Sequence, residues 1–214
     1  MPSTILDIYL KKYKQLVIII SGMSGTNKSE IAEEISKILK CEHINQNNFL
    51  DINFGEIIEI ENKKIKIWDS DEAIKWDSFN EKINEKINEK NIIVISGISF
   101  NKDKINFKND YHLHLKLSKQ ILLEKRNDFI ERHSQYENID EDTRKMIFNK
   151  YTYPYYLKTT ENEVINKFLN INEMNKNEII NQTFNLIMTF IENKIYNNRQ
   201  DIKWNDENKT YDYL

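Results

Sequence analysis

The chain has 214 residues, of which 39% are hydrophobic, 11% aromatic and 30% charged, with a formal net charge of −3. That length suits one α/β domain with a sizeable core, and the aromatic content is too high for a disordered chain. The charge balance excludes the strong basic field that holds duplex nucleic acid, and no apolar run approaches the roughly 18 residues needed to span a bilayer.

Cys41 is the single cysteine, so no internal disulfide can form, which fits a reducing compartment. Met1 to Lys12 lacks a secretory apolar stretch, and the expectation is a soluble cytoplasmic protein. Asn, Ile and Lys are heavily used, the bias of AT-rich genomes such as those of some large viruses and parasites. With only 4 glycines and 2 prolines, each glycine is informative.

Leu16 to Ile20 is a continuous β-branched run and reads as a strand buried on both faces. Ser29 to Lys40 follows with Ile31, Ile35, Ile38 and Leu39 at helical spacing. Glu56 to Trp68 alternates around Glu61-Asn62-Lys63, a β-hairpin pattern. Ser78 to Lys90 carries a narrow stripe of Phe79, Ile83 and Ile87 and reads as a surface helix laid on a sheet. Ile92 to Ile95 is a second buried strand, ended by Ser96-Gly97. Tyr111 to Leu117 alternates as a third. Lys119 to Arg132 and Glu141 to Leu157 read as helices, Val164 to Leu169 as a fourth strand and Glu178 to Tyr196 as a long helix. Strands alternating with helices predict a P-loop NTPase-like α/β fold, a parallel sheet of about five strands with helices on both faces. Residues 1–197 read as a single domain with a small lid around 118–150, and residues 198–214 as a polar tail that frays.

Between the first strand and its helix lies Gly22-Met23-Ser24-Gly25-Thr26-Asn27-Lys28-Ser29. It matches G-x-x-x-x-G-K-[ST] except that Asn27 stands for the second glycine. In this motif consecutive backbone N–H groups curl around phosphate oxygens and the helix adds its positive N-terminal end. Lys28 then reaches the β- and γ-phosphates, and Ser29 offers its hydroxyl to Mg²⁺. Asn tolerates unusual backbone angles better than other non-glycine residues, so the substitution is compatible with binding a nucleoside triphosphate.

Further segments stand in a consistent order: Ile44-Asn45-Gln46-Asn47-Asn48-Phe49, Trp68-Asp69 with Trp76-Asp77, Ile92 to Gly97, Lys125-Arg126, and Tyr153-Pro154-Tyr155-Tyr156. Together with the loop they resemble the uridine kinase and nicotinamide riboside kinase group of P-loop small-molecule kinases over roughly residues 15–170. The resemblance implies ATP- and Mg²⁺-dependent phosphorylation of a nucleoside-like hydroxyl. It places the catalytic positions at Lys28, Asn47 and Arg126, with Arg132 as a second lid cation. It sets Asn47, Phe49, Asp51, Trp68 and Asp69 along the acceptor. Two family acids are replaced: the first Asp of "D-D-F" falls on Asn47, and the acid before the third-strand glycine falls on Ser96. An amide accepts a hydrogen bond but is no usable general base. Asp51 and Asp69 are the nearby carboxylates that could substitute.

Several readings stay open. Asp69 serves equally as a ribose acceptor and as a turn or cap acid, Phe49 as a pocket wall or core, and Trp68 as a stacking platform or core. His112 and His114 lie on the polar face of a strand; with no acid or Cys near them they read as structural. The rival functions are a catalytically impaired nucleotide-binding module and a nucleoside monophosphate kinase. The second needs cations around an acceptor phosphate that residues 45–80 scarcely supply. The expected partner is a small molecule, with no duplex nucleic acid and no membrane; the sequence does not set oligomeric state.

Overall fold

Leu16, Val17, Ile18, Ile19 and Ile20 are all essentially inaccessible, as a β-branched run covered on both sides should be. In the computed structural model, which describes residues 4–51, 56–60, 63–67, 71–131, 140–197, 202–205 and 210–213, this run is the central strand β1 (Leu16–Ser21). It is preceded by α1 (Ile5–Tyr13) and followed by α2 (Lys28–Leu39), β2 (Glu42–Asn45) and a 3₁₀ turn, Gln46–Phe49. Next come β3 (Glu56–Ile60), β4 (Lys63–Ile67), a short 3₁₀ turn at Asp71–Ala73, α3 (Trp76–Glu89), β5 (Ile92–Gly97) and β6 (Tyr111–Lys116). The remainder is α4 (Lys119–Glu131), α5 (Glu141–Ile147), α6 (Tyr153–Glu161), β7 (Lys167–Asn170), α7 (Lys176–Asn197), β8 (Ile202–Asn205) and β9 (Thr210–Tyr213).

The main sheet has five strands in the order β2-β5-β1-β6-β7, and every neighbouring pair is parallel. The register sets Ser21 beside Gly97 and His114, and Asn45 beside Ser96. The carboxyl ends of β1, β2, β5 and β6 therefore share one edge, where open α/β sheets bind ligands. On one face Ile18, Ile20, Val94, Leu113 and Leu115 pack with Ile31 and Ile35 of α2, Ile187 and Ile191 of α7, and Tyr9 of α1. On the other, Val17, Ile19, Ile93 and Ile95 pack with Phe79 and Ile83 of α3 and with Phe100 and Phe107. Each such fully buried apolar side chain contributes about 1.5–3 kcal/mol.

Every expected strand and helix has an observed counterpart, and the parallel five-stranded sheet is as the patterns predict. The differences have local causes. Helix α1 rests on a capping box in which the Thr4 hydroxyl accepts from the Asp7 N–H and the Asp7 carboxylate accepts from the Thr4 N–H. The expected helix Glu141–Leu157 continues to Glu161 but contains a π turn at Phe148–Thr152. Pro154 lacks an N–H and would clash in a regular helix interior, and the widened turn just before it absorbs the mismatch. The fourth strand starts at Lys167 rather than Val164, because Asn166 spends its side chain capping the edge: its Oδ1 accepts from the His112 N–H at 2.7 Å. In the region read as a fraying tail, β8 and β9 pair antiparallel, matching Ile202 with Tyr213 and Trp204 with Tyr211. Among the described residues no helix is long and apolar enough to cross a membrane.

Candidate functional site

The loop leaves β1 at Ser21 and enters α2 at Lys28. A Cβ on Gly22 would lie 2.8 Å from the Leu115 carbonyl oxygen and 2.8 Å from Thr26 Oγ1, so only glycine lets the chain turn this close to β6. Gly25 has φ +99° and Asn27 has φ 56° and ψ 24°, both in the left-handed half of backbone space. Thr26 closes the loop on itself: its N–H and hydroxyl both donate to the Met23 carbonyl, at 3.2 and 2.9 Å. Met23 and Thr26 are buried, Ser24 and Gly25 half-buried and Asn27 exposed. Two glycines and a left-handed asparagine thus wind the backbone into a tight curl that ends on the N-terminus of a 12-residue helix. Backbone donors and the helix dipole make such a terminus favourable to an anion.

Lys28 is the first residue of α2 and is only 5% exposed. Ser29, half-buried, donates from Oγ to Asn45 Oδ1 at 3.3 Å, and Ser96 Oγ stands 3.3 Å from Ser29 Oγ. His43 Nε2 lies 2.8 Å from Ser96 Oγ; burial holds the His43 pKa below its usual value, against a smaller upward pull from Glu33. The residue facing Ser29 is therefore Asn45, at the very end of β2, and not Asn47. Asn47 is exposed on the 3₁₀ turn, and its backbone N–H donates to Asn45 Oδ1 at 3.0 Å. Asn45 and Ser96 are adjacent in register, so the sheet edge brings an amide and a hydroxyl together beside Ser29. Gln46 locks the edge from behind: its Oε1 accepts from the Ile98 N–H at 2.9 Å and its Nε2 donates to the Ser99 carbonyl at 2.6 Å.

Phe49 turns edge-on to Phe79, with ring centroids 5.3 Å apart, and packs half-buried against the core under α3. Asp51 is half-buried, and its backbone N–H donates to the Ala73 carbonyl at 2.7 Å. Trp68, Asp69 and Arg132 lie outside the described residues. Arg126 is half-buried on α4, and α4 itself lies against the loop: a Cβ on Gly25 would come within 3.3 Å of Lys125 Cβ and 3.9 Å of Leu122 Cδ2. Lys125, the other half of the basic pair, is thus the α4 residue nearest the phosphate curl. Sequence reasoning named the Lys125-Arg126 pair but singled out Arg126, and it missed Asn45 and His43; strand-end alternation, which puts Asn45 and His43 on one face of β2, is the signal that could have found the latter two.

Among solved structures the chain resembles a tRNA isopentenylpyrophosphate transferase from Bacillus halodurans (TM-score 0.58, 12% identity, 85% of this chain and 98% of that one). It also resembles a gluconokinase from Sinorhizobium meliloti (TM-score 0.54, 14% identity, 85% and 97%) and a sugar kinase from a Janibacter species (TM-score 0.53, 12% identity, 83% and 95%). No protein-family model matches the chain, and no curated protein matches it in sequence. The fold is the α/β P-loop NTPase fold, with a five-stranded parallel sheet. At these identities the likeness fixes the fold alone.

Proposed function

We propose that this protein binds MgATP in the Gly22–Ser29 loop and transfers its γ-phosphoryl group to a hydroxyl of a nucleoside or nucleoside-like small molecule. The observation that carries the reading is the loop itself, a curl that admits no Cβ at Gly22, set at the carboxyl end of the central strand with Lys28 and Ser29 opening the helix. The residues fit the ligands. Backbone donors and Lys28 suit the β- and γ-phosphates, and the oxygens of Ser29, Asn45 and Ser96 suit a Mg²⁺ that arrives with the triphosphate and keeps most of its waters.

When bound, the metal neutralises charge on the transferring group. Lys28 supplies a fixed cation toward the γ-phosphate, and Lys125 and Arg126 of α4 add charge from the opposite side. The acceptor oxygen bonds to the γ-phosphorus as the bond to the bridging oxygen breaks; ADP leaves, and the hydroxyl proton passes to solvent. Phosphoryl transfer depends mostly on positioning and charge, and a missing general base costs about 10²–10⁴-fold in rate. The neutral corner of Ser29, Asn45, Ser96 and His43 supports a second reading, a nucleotide-binding module with impaired chemistry.

Incubating the purified chain with ATP, Mg²⁺ and a panel of nucleosides, including nicotinamide riboside, separates these readings through ADP release. Gluconate and simple sugars form a comparison arm, chosen from the structural neighbours. ADP release stimulated by a nucleoside supports the proposal. Stimulation by a sugar acid alone would reassign the acceptor. Tight MgATP binding with no stimulation by any acceptor leaves the impaired module.

A further inference from the structure

Directly beneath the phosphate loop, at the end of β1, Ser21 is flanked by two histidines from the neighbouring strand. His112 and His114 alternate on β6 and point to the same side; both are fully buried. The turn between α6 and β7 delivers Glu163, whose side chain is also fully buried and whose Oε2 stands 3.6 Å from His112 Nε2. Its other oxygen accepts from the Phe100 N–H at 3.0 Å. The acid that the sequence lacked near the two histidines is thus brought to them by the fold.

The outer nitrogen of each ring is held by a fixed partner. His112 Nδ1 lies 3.1 Å from the Val164 carbonyl, which can only accept, so this nitrogen carries the proton and Nε2 presents its lone pair inward. His114 Nε2 lies 2.6 Å from the Tyr156 hydroxyl, leaving Nδ1 to face inward. The inward atoms His112 Nε2 and His114 Nδ1 meet at Ser21 Oγ, at 2.6 and 2.8 Å. One ligating atom from each of His112, His114 and Glu163 lies within 4.8 Å of the others.

We propose that His112, His114 and Glu163 form a binding site for a divalent transition metal of the Zn²⁺ type, with the Ser21 hydroxyl beside the fourth position. Three features carry this. Two imidazoles and one carboxylate are a donor set chosen by Zn²⁺ and its neighbours, not by Mg²⁺ or Ca²⁺. Histidines that bind metal characteristically anchor the other ring nitrogen on a backbone carbonyl or similar group, as His112 does on Val164. Finally, bonds of about 2.0–2.2 Å in a tetrahedral shell set ligands about 3.3–3.6 Å apart, and His112 Nε2 and Glu163 Oε2 already stand at 3.6 Å. His114 offers its ligating atom within 4.8 Å of the other two, so it closes onto the same point by a small shift of the ring. Burial holds both imidazoles neutral, His112 near about 4 and His114 near about 3, which is the form that ligates. His114 also feels the charge of Lys28, so a dication here would add positive potential under the phosphate curl and tie β1, β6 and the turn before β7 together.

The competing account is a metal-free chain of hydrogen bonds, Tyr156–His114–Ser21–His112–Val164, in which every donor finds one acceptor. The two are separated on the full chain, purified without a histidine tag. Zn²⁺ is titrated against a chromophoric chelator, and Co²⁺ is added to look for the visible absorption of a tetrahedral site. The proposal expects one metal per chain, the Co²⁺ signature and a thermal midpoint raised by Zn²⁺. Glu163→Gln and His112→Ala should weaken binding by at least 10–100-fold, the loss typical even of outer partners of a metal site. Cys41→Ser, remote from the site, should leave it unchanged. Should the histidine variant fail to fold, Glu163→Gln preserves shape and decides alone. Absence of stoichiometric metal, or binding that survives Glu163→Gln, overturns the site. None of these readouts involves nucleotide, so failure here leaves the loop's assignment standing.

Discussion

Asn27 offers a direct probe of the backbone that defines the loop. It sits at φ 56° and ψ 24°, before the first residue of α2, and its side chain makes no capping hydrogen bond to the helix. Replacing it therefore changes the tolerance of a left-handed backbone and little else. A residue with a Cβ and no local hydrogen-bonding group is penalised by roughly 1–2 kcal/mol in this conformation, and Asn by less. Asn27→Ala should cost about 1 kcal/mol. Asn27→Gly removes the residual strain but gives the unfolded chain about 0.4–1 kcal/mol of extra freedom, so its net effect should be near zero. Urea denaturation should rank wild type and Asn27→Gly together, with Asn27→Ala lower by about 0.5–1 kcal/mol. Because the phosphates are cradled by main-chain donors, Asn27→Gly should also retain ATP affinity. An alanine variant as stable as the glycine variant would refute the assigned backbone and the reasoning built on it.

Two further outcomes follow from the site and its surroundings. Asn45→Asp places a carboxylate where two hydrogen bonds already converge on an acceptor, from Ser29 and from the Asn47 N–H; it should strengthen the Mg²⁺-dependent part of ATP binding by 10-fold or more, equivalent to about 1.4 kcal/mol, whereas Asn47→Asp should change it little, and the reverse ranking would contradict the geometry. Burial pushes the Cys41 thiol up to about 12, so at pH 8 only about 10⁻⁴ of it is thiolate against roughly a quarter for a free cysteine; alkylation should be slow in the native protein, rise with pH and become fast on unfolding, and rapid native labelling at pH 8 would argue against the burial.

The strand–loop–helix core was legible because its signals are local. A β-branched run, a glycine turn and a helical stripe lie within some twenty residues, and their physics does not depend on the rest of the chain. The reading at Asn47 rested on local signals as well. The 3₁₀ turn that follows Asn45 leaves the Asn47 side chain exposed, while Asn45 at the strand end is hydrogen-bonded to Ser29. What could not be read were contacts made by closing long loops. Glu163 reaches His112 only because β7 pairs with β6, and α4 meets Gly25 only once the sheet is assembled. Helix α1 was readable in principle from Thr4 and Asp7, a capping-box spacing obscured by a mixed apolar pattern.

Everything proposed for chemistry depends on triphosphate entering the Gly22–Ser29 curl. Isothermal titration of the intact protein with MgATP, beside Lys28→Ala, tests this most directly. Lys28 is nearly buried at the mouth of α2, and removing a charged donor to a bound group costs about 1.5–3 kcal/mol, which is roughly a 10- to 150-fold loss of affinity. The account predicts saturable one-to-one binding by wild type and a loss of that size in the variant, with the fold retained by circular dichroism. Equal affinity in the two proteins, or no binding by wild type, would contradict it.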